Sequence, residues 1–144
     1  VRHSYEELFG VLRQLGLNYK DFEQLYRRMA FNVIARNHDD HTKNFSFLMD
    51  NTGQWSFAPA YDICYSYNPS GRWTRRHQLS LNSKTEDFTR EDLLSVAQNI
   101  GIRNANHIID EVLSTVASWP DTAKDCGVRP EHIEAINKTL LLKI

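Results

Sequence analysis

The sequence predicts a mainly α-helical fold with one small β-hairpin. Three observations lead there. Apolar residues recur at helical spacing in two segments before residue 35 and in three after residue 88. Strand-like alternation is confined to residues 45–57. Capping and turn residues stand between these segments, so each has a defined start and stop.

Ser4 followed by Glu7 has the form of a capping box, and Tyr5, Leu8, Phe9, Leu12 and Leu15 then line one helix face until Gly16. A second helix begins near Asn18 and presents Phe22, Leu25, Tyr26, Met29 and Val33 together. Phe31 and Ile34 make its last turns apolar nearly all round, so that end should be buried. Next, Phe45, Phe47 and Met49 interleave with Ser46 and Leu48, and Asn51-Thr52-Gly53 turns the chain into Trp55-Ser56-Phe57. Pro59 breaks the second strand and delivers Tyr61-Asp62. Trp55, Tyr61 and Trp73 read as packing groups, with Pro59 and Tyr61 fixing the path into Asp62.

Residues 66–77, "SYNPSGRWTRRH", have turn residues but no period, so they form a surface loop bearing Arg72, Arg75 and Arg76. Its hydroxyls, Ser66, Ser70 and Thr74, are candidate phosphorylation sites. Thr89 with Asp92 opens a helix through Leu93, Val96, Ala97 and Ile100 to Gly101. A further helix carries Ile108, Ile109, Val112, Leu113 and Val116 and stops before Pro120. The last starts at Pro130 and carries Ile133, Ile136 and Leu140.

At 144 residues the chain has the length of a single domain, and no repeat or linker divides residues 1–144. Seventeen basic against eighteen acidic residues leave a net charge of −1, so no global field draws it to nucleic acid or an anionic membrane. No apolar run approaches the roughly 18 residues of a membrane span. Cys64 and Cys126 lie far apart without C-x-x-C spacing, which suits reduced thiols in a cytoplasm. The helical pattern begins almost at Val1, and the expectation is a piece of a longer polypeptide.

The chemistry gathers in "ARNHDDHTKNFSF", residues 35–47. Phosphoryl transfer needs a carboxylate near the attacking hydroxyl and oxygen ligands for the Mg²⁺ that neutralises the phosphates. In protein kinases an Asp serves the hydroxyl, an Asn five positions later holds metal, and a second metal-binding Asp follows a hairpin. Asp39, Asn44 and Asp62 stand in that order and on those elements. Asp40 is four positions from Asn44, which makes Asp39 the better base. His41 either steadies the transferred phosphate or bonds the loop backbone, and Lys43 either supports the loop or approaches the γ-phosphate. His38 reads as a structural residue. No glycine-rich phosphate cradle and no strand of the V-A-I-K kind occurs in the sequence, so the chain alone is expected to bind ATP weakly and transfer little phosphate.

The segments "FNVIARNHDDHTKNFSFLM", "WSFAPAYDICYS" and "LSLNSKTEDFTREDL" closely resemble the C-terminal half of HipA-type kinases. Ile63 and Cys64 replace the Phe and Gly that follow the metal-binding Asp of eukaryotic kinases, in keeping with the HipA pattern. The resemblance implies a protein-kinase-like C-terminal helical lobe, with the amino-terminal nucleotide-binding lobe absent from this chain. It also implies a bacterial serine/threonine protein kinase, the toxin of a toxin-antitoxin pair. By position, it makes Asp39 the catalytic aspartate, and Asn44 and Asp62 the Mg²⁺ ligands. The partners it implies are ATP, a protein substrate such as an aminoacyl-tRNA synthetase, and a helix-turn-helix antitoxin through which DNA is met indirectly.

Three other readings compete. "HDDH" offers imidazole and carboxylate ligands to a metal-dependent phosphohydrolase, although His3, His77, His107 and His132 show no matching ligand pattern. The domain could instead be a non-catalytic antitoxin-binding module, or the lobe of a small-molecule or lipid phosphotransferase.

Overall fold

A computed structural model of the chain describes residues 3–144. Six α-helices and one two-stranded antiparallel hairpin make up its regular structure: α1 (Tyr5–Gln14), α2 (Tyr19–Ile34), β1 (Phe47–Met49), β2 (Trp55–Phe57), α3 (Arg90–Ile100), α4 (Ala105–Ala117), α5 (Trp119–Asp125) and α6 (Pro130–Asn137). The expected mainly helical architecture is the one observed.

The helix starts follow from local chemistry. Ser4 Oγ accepts from the Glu7 amide at 3.0 Å, and the Ser4 amide donates to Glu7 Oε2 at 2.9 Å, which satisfies two orphan donors of α1 at once. Asn18 Oδ1 caps α2 by accepting from the Asp21 amide. Thr89 and Asp92 form the same reciprocal box on α3, and Gly101, at φ +84°, ends that helix in a conformation that costs glycine little.

Leu8, Phe9 and Leu12 of α1, Leu25, Met29, Val33 and Ile34 of α2, Leu93 and Val96 of α3, and Ile108, Ile109 and Val112 of α4 share one core. Each fully buried aliphatic side chain of this set contributes roughly 1.5–3 kcal/mol relative to exposure. The end of α2 is buried as expected, with Val33 and Ile34 inaccessible to solvent. After α6 the chain returns to this end: the Leu141 amide donates to the Ile34 carbonyl at 3.0 Å, and Arg36 Nε to the Thr139 carbonyl at 2.8 Å.

The hairpin pairs Phe47 with Phe57, Leu48 with Ser56 and Met49 with Trp55. Phe47 and Phe57 stack at 5.6 Å on its inner face, and the Arg28 guanidinium lies 3.9 Å over the Phe57 ring while donating to the Ala58 carbonyl. The α2 helix therefore fixes the root of the hairpin and leaves its tip free.

Three expectations need correction. Where three helices were expected after the loop there are four, because α5 starts at Trp119 with Pro120 in its first turn. Proline stops the preceding helix but is tolerated in a first turn, whose N–H groups have no intrahelical partner. Second, α6 ends at Asn137, so Leu140 packs on the core from the segment beyond it. Third, Trp55, Tyr61 and Trp73 are not packing groups: all three are exposed, Trp73 by 64%.

Candidate functional site

The polar loop 35–46 leaves α2 through Arg36, whose φ of +60° turns the chain in the left-handed region that costs an L residue about 1–2 kcal/mol. Contacts on all sides hold that turn. The Arg36 carbonyl accepts from the Ser66 amide, and its guanidinium lies 4.8 Å over the Tyr67 ring. A single 3₁₀ turn over Thr42–Asn44 then leads into β1.

Asp39, Asn44 and Asp62 are linked by a chain of hydrogen bonds. Asn44 Nδ2 donates to the Asp39 carbonyl at 3.0 Å. The Asp39 amide donates to Ser66 Oγ at 2.9 Å, Ser66 Oγ to Asn37 Oδ1 at 3.2 Å, and Asn37 Nδ2 reaches the Asp62 carbonyl at 3.5 Å. Every one of these bonds to Asp39 and Asp62 uses backbone atoms, so their carboxylates stay available. Committing the Asn44 amide nitrogen to Asp39 likewise leaves its Oδ1 as the group to meet a cation. Asp62 adopts φ +53°, and aspartate is one of the few non-glycine residues that visits this region readily.

The Cys64 thiol is raised above its usual range first by burial, then by the negative charges of Asp62 and Asp39. Cys64 and Cys126 are both free and exposed, as expected of unpaired thiols.

His41 and Lys43 stand on the same loop. His41 is half-buried, and its Nδ1 is buried without a hydrogen-bond partner among the described residues. The Lys43 side chain is exposed, while its carbonyl accepts from Tyr61 Oη at 2.7 Å. Tyr61 thus ties the segment before Asp62 to the loop, the positional role expected of it, although its ring is not packed away.

Asp40 turns the other way. Its side chain is 1% exposed, and four donors surround its two oxygens. Tyr5 Oη and His77 Nδ1 each approach Oδ2 at 2.8 Å, and the amides of Gln78 and Leu79 reach Oδ1 at 2.7 and 3.4 Å. Tyr5 Oη already accepts from Asn32 Nδ2, so its hydrogen goes to Asp40, and burial followed by the Asp40 charge pushes the phenol well above its usual range. Asn37 Nδ2 also donates to Asn32 Oδ1 at 3.1 Å, which joins the Asp40 group to the bridge between Asp39 and Asp62.

His38, the structural residue of the sequence reading, is buried with its ring 4.1 Å from that of His77 and 4.8 Å from that of Tyr67. Neither ring nitrogen has a hydrogen-bond partner among the described residues. Burial, reinforced by His77 and Arg36 and opposed by Asp40, lowers His38 to about 3, so it is neutral at ordinary pH.

The sequence reading passed over Asn32 and Asn37, weighed His77 only as a metal ligand without a matching pattern, and weighed Ser66 only as a phosphorylation site. Only Asn37 carried a signal, as an amide inside the polar stretch. The bonds of Asn32 to Tyr5, Ser66 to Asp39 and His77 to Asp40 span 27 to 37 residues, so spacing along the chain says nothing of them. Of the loop arginines, Arg76 pairs with Glu86 at 2.8 Å and Arg72 lies 4.8 Å over Trp73.

Among the described residues, no group of three or more His, Cys, Asp or Glu side chains is placed to hold a metal. His38 and His77 face each other inside the fold, which does not fit the ligand set of an HD-type phosphohydrolase. Asn44 Oδ1 and the Asp62 carboxylate are hard oxygen donors of the kind suited to Mg²⁺, an ion that keeps waters and substrate phosphates among its ligands.

The model of the HipA-like C-terminal domain family matches residues 1–138. The chain belongs to that family. This HipA-like domain is also similar to a Haemophilus influenzae protein named "Putative kinase", at 23% identity over 94% of the chain and 45% of the relative. It therefore spans about half the length of the curated relative it matches. No helix among the described residues is long and apolar enough to cross a membrane.

Proposed function

We propose that this HipA-like domain is the catalytic lobe of a serine/threonine protein kinase that transfers the ATP γ-phosphate to a protein hydroxyl. The observation that carries the reading is the hydrogen-bonded chain from Asn44 through Asp39, Ser66 and Asn37 to Asp62, which ties the three residues together through the backbone of the two aspartates and supports a shared site.

In this reading Asp39 orients the substrate hydroxyl and takes its proton as phosphate transfer proceeds. Asn44 Oδ1 and the Asp62 carboxylate hold Mg²⁺, which when bound neutralises the triphosphate charge. Lys43, exposed on the same turn, approaches the γ-phosphate, and His41 steadies the transferred group. The sequence supplies no glycine-rich cradle, so the domain alone binds ATP weakly and needs a nucleotide-binding lobe for turnover. The toxin role, the helix-turn-helix antitoxin, indirect contact with DNA, an aminoacyl-tRNA synthetase as substrate and a cytoplasmic setting belong to this same proposal, and rest on the family resemblance.

Phosphate transfer by the full-length protein carrying Asp39→Asn tests it. The substitution removes the carboxylate at nearly constant volume, and transfer should fall by about 10³-fold or more with the fold intact. Wild-type transfer by that variant removes Asp39 from the mechanism.

A further inference from the structure

We propose that Asp40 is a positioning residue for Asp39, acting by pinning the end of the 66–79 segment, whose start is held by the Asp39 amide, to the loop that carries the two aspartates. The inference rests on the assignment of Asp39 above. Ser66, at the start of the segment, accepts from the Asp39 amide at 2.9 Å. His77, Gln78 and Leu79, at its end, all donate to the Asp40 carboxylate. Consecutive residues thus hold the two ends of one segment, and the exposed part between them bears Arg72, Trp73 and Arg75. The fourth donor, Tyr5 of α1, fastens the same carboxylate to the core.

The physical argument is geometric. Asp39 is half-buried and its carboxylate makes no hydrogen bond among the described residues, so nothing on its own side chain fixes its direction. Its direction is set by the backbone on either side. On one side stands the Ser66 bond, and on the other a peptide whose next side chain is held by four donors. A shift of about 1 Å at a reacting group can cost on the order of 10²-fold in rate. Loss of the Asp40 anchor would therefore appear in turnover, while ATP affinity, set by other groups, would not move.

The test compares four variants of the full-length protein by kcat, the KM for ATP and calorimetric affinity for Mg-ATP. Asp40→Asn keeps an oxygen for the Gln78 and Leu79 amides but puts an NH₂ against Tyr5 and His77. It should lower kcat at least tenfold with Mg-ATP affinity within twofold of wild type. His77→Asn, whose amide nitrogen stands where Nδ1 does, should restore most of the turnover that His77→Leu loses, and this pair remains decisive if Asp40→Asn does not fold. Asp39→Asn separates the two claims: an inactive Asp39→Asn beside a fully active Asp40→Asn overturns only the positioning role, whereas an active Asp39→Asn removes Asp39 from the mechanism and this inference with it. Parallel loss of kcat and Mg-ATP affinity in Asp40→Asn, or equal loss in both His77 variants, overturns the inference as well.

Discussion

Asn32 and Asn37 are joined by a 3.1 Å hydrogen bond between buried amides, and through it the end of α2 is tied to the backbone of Asp62 and to the Ser66 bridge of Asp39. Neither residue is placed to touch substrate. Together they convert a helix end into a platform for the site.

Asn37→Ala should therefore cost both stability and alignment. It strands Asn32 Oδ1 and removes the acceptor of Ser66, and a buried group left unpaired costs about 1–3 kcal/mol. Urea denaturation should show a lower midpoint with an unchanged slope. A midpoint equal to that of wild type would mean the amide carries no net stabilisation.

Acid should destabilise the fold through His38. In the unfolded chain this imidazole takes a proton near 6.5, whereas in the fold it stays neutral down to about 3. Between those values the unfolded state binds the extra proton, so stability is complete above about pH 6.5 and is lost as pH falls toward 3, by an amount on the order of a few kcal/mol. His38→Phe, which keeps an aromatic ring beside Tyr67 and His77, should flatten the stability profile across that window. An equally steep profile in the variant would assign the acid sensitivity to another group.

Asp92 makes an opposite case of pairing. Burial alone would raise its carboxyl, but hydrogen bonds from Lys84, Thr89 and Asn82 outweigh this and lower it to about 2. Its contribution is present above about pH 4 and is lost as pH falls toward 2. At neutral pH Asp92→Ala should lower stability by about 1–3 kcal/mol, because the capping box and the Lys84 pair go together. A thermal melting point within one degree of wild type would contradict that.

A gain in stability is available at Ser83. Leu81 and Lys84 exchange both backbone hydrogen bonds at 2.9 Å around Asn82 and Ser83, which adopt φ of +48° and +64°. This is a tight turn whose two central positions favour Asn-Gly. Ser83→Gly should raise stability by about 0.5–1 kcal/mol, read as a higher melting temperature, and a lower one would show that the serine side chain contributes more than the strain removes.

The capping boxes at Ser4 and Thr89, the hairpin turn at Gly53 and the helix stop at Gly101 were legible in the sequence because each rests on residues within a few positions of one another. The spacing of Asp39 and Asn44 was legible for the same reason, whereas Asp62 was read from its place after the hairpin. Helix α5 was hidden because Pro120 permits two outcomes, a stop for one helix or a first turn for the next, and tertiary packing chooses. The buried group around Asp40 was hidden because its partners come from α1, α2 and the segment after the loop, and nothing local marks Tyr5 or His77 as more than core residues. The exposed aromatics misled for the opposite reason: the local pattern of Trp55 and Tyr61 is that of packing residues, yet the tertiary fold leaves more than a third of each open to solvent.

The central claim is that the side chains of Asp39, Asn44 and Asp62 share one small volume that takes a divalent cation with nucleotide. Adding Mn²⁺ with ATP to the isotope-labelled full-length protein and following nuclear relaxation residue by residue tests it most directly. Signals of these three residues should broaden first and most strongly as Mn²⁺ is added. Broadening centred elsewhere, with residues 39, 44 and 62 unaffected, would contradict the account.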